Sequence, residues 1–81
     1  MKYIMFEDFS GNPLPIIFPN RIAHDELRKQ IPYSTILSAG YIKRTETGFA
    51  CFGKAKDLGK EASPEDEGLI MDLFRKNEDD E

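Results

Sequence analysis

"SAGYIKRTETGFACFGKAK", residues 38–56, sets two runs rich in β-forming residues on either side of Glu46-Thr47-Gly48. Aromatic and β-branched residues flanking a glycine turn predict a β-hairpin, and this hairpin decides the fold class. Side chains of a strand alternate between its two faces. Ile36, Ser38, Gly40 and Ile42 then share one face, and Leu37, Ala39, Tyr41 and Lys43 the other. On the return strand Phe49, Cys51 and Gly53 oppose Ala50, Phe52 and Lys54. Gly40 and Gly53 stand inside strands, where a bulge or a close approach of another backbone is the usual reason for glycine.

Upstream, Lys2–Phe6 predicts a first strand and Ile16–Phe18 a second. Pro13 and Pro15 interrupt regular pairing between them, and Pro19 ends the second strand because proline has no N–H for a ladder. Over residues 20–31 the period changes. Ala23, Leu27 and Ile31 recur at helical spacing, with Asn20 or His24 placed to cap and Pro32 to stop the helix. Downstream, residues 56–62 predict a loop. "SPEDEGLIMDLFRK", residues 63–76, then starts a helix with Ser63 as N-cap, Pro64 at the first helical position and Asp66 three residues after the cap. Its apolar stripe is Leu69, Ile70, Leu73 and Phe74. The predicted fold is a small single α+β domain in β-β-α-β-β-α order, an antiparallel sheet with two helices on one face. The domain spans residues 1–76 and an acidic flexible tail residues 77–81.

At 81 residues there is room for one core, and roughly 60–65% of the unfolded surface is buried in a domain of this size. The single cysteine allows no intramolecular disulfide, which fits a reducing cytoplasm. No signal-peptide pattern and no transmembrane span is present, so the expected location is intracellular, without membrane contact. With neither a staple nor a large core, a homodimer is one route to stability.

The net charge of −4 is unevenly spread. Residues 41–60 carry Lys43, Arg44, Lys54, Lys56 and Lys60 against Glu46 and Asp57, whereas residues 61–81 carry nine acids against Arg75 and Lys76. A net acidic chain argues against general phosphate binding, which needs a positive surface.

His24 and Cys51 would make a nucleophilic pair only within hydrogen-bond reach, and no hydrolase signature surrounds the cysteine. One histidine and one cysteine do not fill a zinc site, the acidic runs lack calcium-loop spacing, and the glycines form no phosphate loop. No catalytic residue, metal ligand or cofactor site is therefore expected. The candidate binding face is Tyr41, Lys43, Arg44, Phe52, Lys54 and Lys56, where rings and bases lie close in sequence. Ordinary core packing and solvated strand ends explain the same residues.

At "IIFPNRIAHDEL", "LSAGY", "CFGKAKDLG" and "SPEDEGLI" the chain resembles small proteins encoded by bacteriophages and prophages, over residues 16 to about 73. That group has no established activity, so no functional residue carries over. The resemblance implies a viral accessory protein in a bacterial cell. The expected function is non-enzymatic protein–protein binding to a host or phage protein, with a homodimer as one form. A small nucleic-acid-associated protein using the basic hairpin 41–60 is the alternative.

Overall fold

In the computed structural model, which describes residues 1–33 and 35–79 with side chains through Arg75, four strands form one antiparallel sheet. They are β1 (Lys2–Glu7), β2 (Pro13–Phe18), β3 (Ile36–Thr45) and β4 (Gly48–Phe52), in the order β2-β1-β3-β4. Helix α1 (His24–Lys29) follows β2, and helix α2 (Asp66–Asp79) closes the described chain. The segment expected as a loop is a second small hairpin. Strands β5 (Lys54–Ala55) and β6 (Lys60–Glu61) pair around a 3-10 turn at Lys56–Leu58. The α+β class and the β-β-α-β-β-α order hold, with this hairpin inserted before α2.

The two helices do not share a face of the sheet, and here the structure corrects the expectation. Tyr3, Ile4, Met5 and Phe6 of central β1 are all fully buried, so both faces of that strand must be covered. Ile4 and Phe6 pack with Phe18, Ala39 and Ala55 beneath Leu27 of α1. Tyr3 and Met5 pack on the other side with Ile42 and with Ile70 of α2. The chain changes sides after β4. Gly53, at φ +78°, turns it to bury Ala55 against the α1 face. Ala62 then donates its N–H to the Gly53 carbonyl at 3.0 Å, and the chain enters α2 on the opposite face.

Gly40 makes that crossing fit. A Cβ there would lie 2.7 Å from the Phe52 carbonyl oxygen and 3.2 Å from that of Gly53, both backbone atoms that cannot swing aside. The β1–β3 register shifts between Met5↔Ser38 and Phe6↔Ile36, which leaves Leu37 as an extra, exposed residue. Strict alternation had put Ile36 with Ser38 and Ile42. The bulge moves it to the α1 side, where it packs against the Ile4–Phe6 cluster.

At α2, Glu65 N–H donates to Ser63 Oγ at 3.4 Å and Ser63 N–H donates to Asp66 Oδ2 at 3.1 Å, the reciprocal bonding expected of a capping box. At α1 neither predicted cap operates. Ala23 occupies the cap position without a side-chain bond, and His24 is the first helical residue with its ring turned inward. Asn77–Asp79 of the expected acidic tail belong to the last turn of α2, and residues 80–81 lie outside the described residues.

Asp66 does more than cap. Its Oδ2 also accepts the hydroxyls of Tyr3 and, at 2.6 Å, of Ser38, and the carboxylate is buried. Asp66→Ala leaves three donors without an acceptor and is expected to cost about 3 kcal/mol or more in urea unfolding. Ser63→Ala loses only a cap, about 1 kcal/mol. Equal losses in the two variants would show that Asp66 acts merely as a cap. Gly40→Ala is expected to cost about 2 kcal/mol, because the backbone crossing must shift to admit the methyl.

Candidate functional site

The predicted face is only partly assembled. Tyr41 and Phe52 are direct cross-strand partners, and their rings stack at 5.9 Å and 24°. Phe52 is 49% exposed. Lys43, two residues along β3 on the same side, holds its ammonium 5.8 Å from the centre of the Phe52 ring. At this range a cation is attracted to the aromatic face. Beyond Tyr41, Lys54 and Lys56 line a shallow cleft of about 410 Å³ together with Lys2, His24 and Asp57. Arg44 does not join them. It follows Ile42 on the α2 side of β3 and lines a separate hollow with Phe49, Phe74 and Arg75. Phe49, opposite Arg44, stacks on Phe74 at 5.2 Å.

His24 is built into the floor of this cleft. Its ring lies edge-on between Phe18 and Tyr41, at 5.3 and 5.7 Å, and only 3% of the residue is exposed. Nε2 stands 2.8 Å from the Gly40 carbonyl oxygen, and a carbonyl can only accept, so Nε2 carries the hydrogen. Nδ1 faces Asp57 Oδ1 at 4.0 Å, too long for a hydrogen bond. The other oxygen of Asp57 accepts the Asp25 N–H at 2.9 Å and ties the 3-10 turn to the start of α1. His24 thereby locks Tyr41 from below and leaves the Tyr41–Phe52 stack as the solvent-facing layer.

Cys51 belongs to the opposite face, among Tyr3, Ile42 and Ile70. The sheet therefore separates it from His24, and the two form no pair. Among the described residues no group of three His, Cys, Asp or Glu is placed to hold a metal ion. Nor is any described helix long and apolar enough to cross a membrane.

A second surface escaped the sequence reading. Of the apolar stripe of α2 only Ile70 is fully buried, and Leu73 and Phe74 are 37% and 46% exposed. They wall a groove of about 430 Å³ against Leu14, Pro15 and Ile17 of β2. A signal was present: the stripe Leu69, Ile70, Leu73 and Phe74 spreads over about 140° of helix at about 100° per residue, more than one line of contact needs. The sheet edges are less open. Pro13 and Pro15, expected to interrupt pairing, instead lie within β2 opposite Glu7 and Met5, and as prolines they remove donors from its outer edge. On β4, the Ile42–Met1 bonds show that the backbone groups of Ile42 face away from β4, so the backbone groups of its partner Cys51 face the outer edge, where the Cys51 N–H donates to Glu67 Oε2 at 3.3 Å.

Burial pushes the Cys51 thiol up to about 11, with the Asp66 and Glu67 carboxylates adding to it and a hydrogen bond with Tyr3 partly opposing. Burial, then the Asp66 carboxylate, raises the Tyr3 phenol well above its usual range. Since the thiolate is the reactive form, alkylation of Cys51 at pH 7.5 is expected to run about 100-fold slower than that of a free thiol. An unfolded thiol ionises near 9, before the folded one. Above that pH the unfolded chain binds fewer protons than the native one, so stability falls as pH rises from about 9 to about 11. Urea midpoints across this range, compared with those of Cys51→Ala, measure the thiol's part in that fall. A thiol that reacts at the free rate would contradict its burial.

Comparison with family models, with curated proteins and with solved structures finds no match for this chain.

Proposed function

We propose that this chain is a non-enzymatic binding protein, of the phage or prophage accessory kind its sequence resembles, and that it works through protein–protein contact as a homodimer. The observation that carries this reading is the groove between α2 and β2. Leu14, Pro15, Ile17, Ile70, Leu73 and Phe74 line it, and none of them is charged. Exposed apolar surface of this kind is costly to leave in water and marks contact sites. A second copy of the chain is the occupant that the geometry favours. In a two-fold pair the same patch meets itself, so Leu73 of each copy enters the groove of the other. A domain of 81 residues has a thin core and gains stability from such burial.

Pairing through a sheet edge is the weaker route, because prolines on β2 and Glu67 beside β4 occupy or remove outward-facing groups.

Sedimentation from about 10 μM to about 1 mM is expected to show the mass growing from one chain toward two, with Leu73→Glu held at one chain. Leu73 is partly exposed, so the substitution leaves the fold intact, which the far-ultraviolet circular dichroism of the variant checks. A wild-type mass that stays at one chain through the highest concentration would sink the dimer.

A further inference from the structure

We propose that the Tyr41–Phe52 stack and the lysines around it form a binding surface for single-stranded nucleic acid. This surface lies on the side of the sheet away from the α2 groove and is independent of it.

Three observations carry the inference. The first is the ring pair itself. Tyr41 and Phe52 stack on each other, and the half-exposed Phe52 ring, with the flexible Lys43 side chain holding its ammonium 5.8 Å from the ring centre, offers a base an aromatic surface. Any base has such a face, so a plate of this kind reads strandedness rather than sequence. Burial of His24 beneath Tyr41 fixes the plate without filling it.

The second is the placement of charge. Lys43 stands at one end of the plate, and Lys54 and Lys56 at the other. Among the described residues none of these three ammonium groups has a carboxylate within 4 Å, so their charge is available to phosphates. The one acid in the cleft, Asp57, is already engaged by the Asp25 N–H and faces His24.

The third is what the two-faced fold does to net charge. An excess of acid counts against phosphate binding only where the acids share the surface with the bases. Here Glu67 and Asp72 ride on α2 and Glu65 just precedes it, across the sheet from Tyr41, and Asp66 is buried; Glu61, opposite Lys54 in the β5–β6 pair, is an acid that remains beside the lysines. The sheet holds the two sets of charges apart, and between solvent-exposed charges farther apart than the Debye length of about 8 Å at physiological salt the interaction is largely screened. The same geometry removes Arg44 from the surface, although it is next to Lys43 in sequence.

Fluorescence anisotropy with labelled dT20 and rU20, and with a 20-base-pair duplex, tests this. Both single strands are expected to bind at 50 mM salt and the duplex, whose bases are already stacked, at least about tenfold more weakly. Three phosphate contacts give a salt slope near −2, so affinity is expected to fall about 20-fold between 50 and 200 mM salt. Phe52→Ala is expected to weaken binding about tenfold at either salt. Lys54→Ala is expected to make the slope shallower by about 0.7, and Arg44→Ala to leave it unchanged. Phe52, Lys54 and Arg44 are exposed, and unchanged urea midpoints confirm that the variants fold. No retention of either strand at 20 mM salt would overturn the proposal. So would equal affinity for the duplex, or a loss with Arg44→Ala matching that with Lys54→Ala, since either would mean attraction by charge alone.

Discussion

One carboxylate oxygen holds the two ends of this chain together. Asp66 Oδ2 accepts the hydroxyl of Tyr3 from the first strand, the hydroxyl of Ser38 from the third and the N–H of Ser63 at the helix start. Burying a carboxylate is expensive unless donors replace the water it gives up. Here the donors come from three elements far apart in sequence, so the replacement exists only when the sheet and α2 are docked in one arrangement. Apolar contact between Ile70 and the sheet supplies attraction without direction. Asp66 supplies the direction and sets where α2 lies.

Once α2 is placed, the sheet becomes a partition. Each face has its own cluster, built on Ile4 and Phe6 toward α1 and on Tyr3 and Met5 toward α2. The partition separates His24 from Cys51, Lys43 from Arg44 and the lysines of the β5–β6 segment from the acids of α2. Neighbouring residues on a strand look in opposite directions, so residues adjacent in sequence serve different surfaces. The chain's unequal charge becomes two surfaces of different character, an aromatic plate among lysines and an uncharged apolar groove.

Much of this was legible without coordinates. The capping box at Ser63 and Asp66 depends on residues three apart, and it formed as read. Gly40 and Gly53 were marked as irregular points, and each has a physical cause: backbone oxygens too close for a Cβ at the first, a positive φ at the second. The hairpin turning at Gly48 formed as read, and its register sets Tyr41 opposite Phe52. What misled was the use of strict alternation on β3. The bulge at Leu37 is a relation between two strands, with no marker inside either of them. The His24 cap failed for a related reason. A polar residue at a helix start can bond locally, but this one finds the Gly40 carbonyl in the interior and two rings to lie between.

By itself the sequence determined the local features: the order along the chain of the four main strands and the two helices, the start of α2 and the charge imbalance. These depend on neighbours within a few residues, where backbone sterics and nearby hydrogen bonds dominate. Only the tertiary structure decided which face each helix covers, which bases share a surface with Tyr41, and that Leu73 and Phe74 remain in contact with water. Those outcomes depend on how many layers the sheet must bury and on where a single buried carboxylate finds its donors. Both are properties of contacts between residues up to 63 positions apart, which no local pattern encodes.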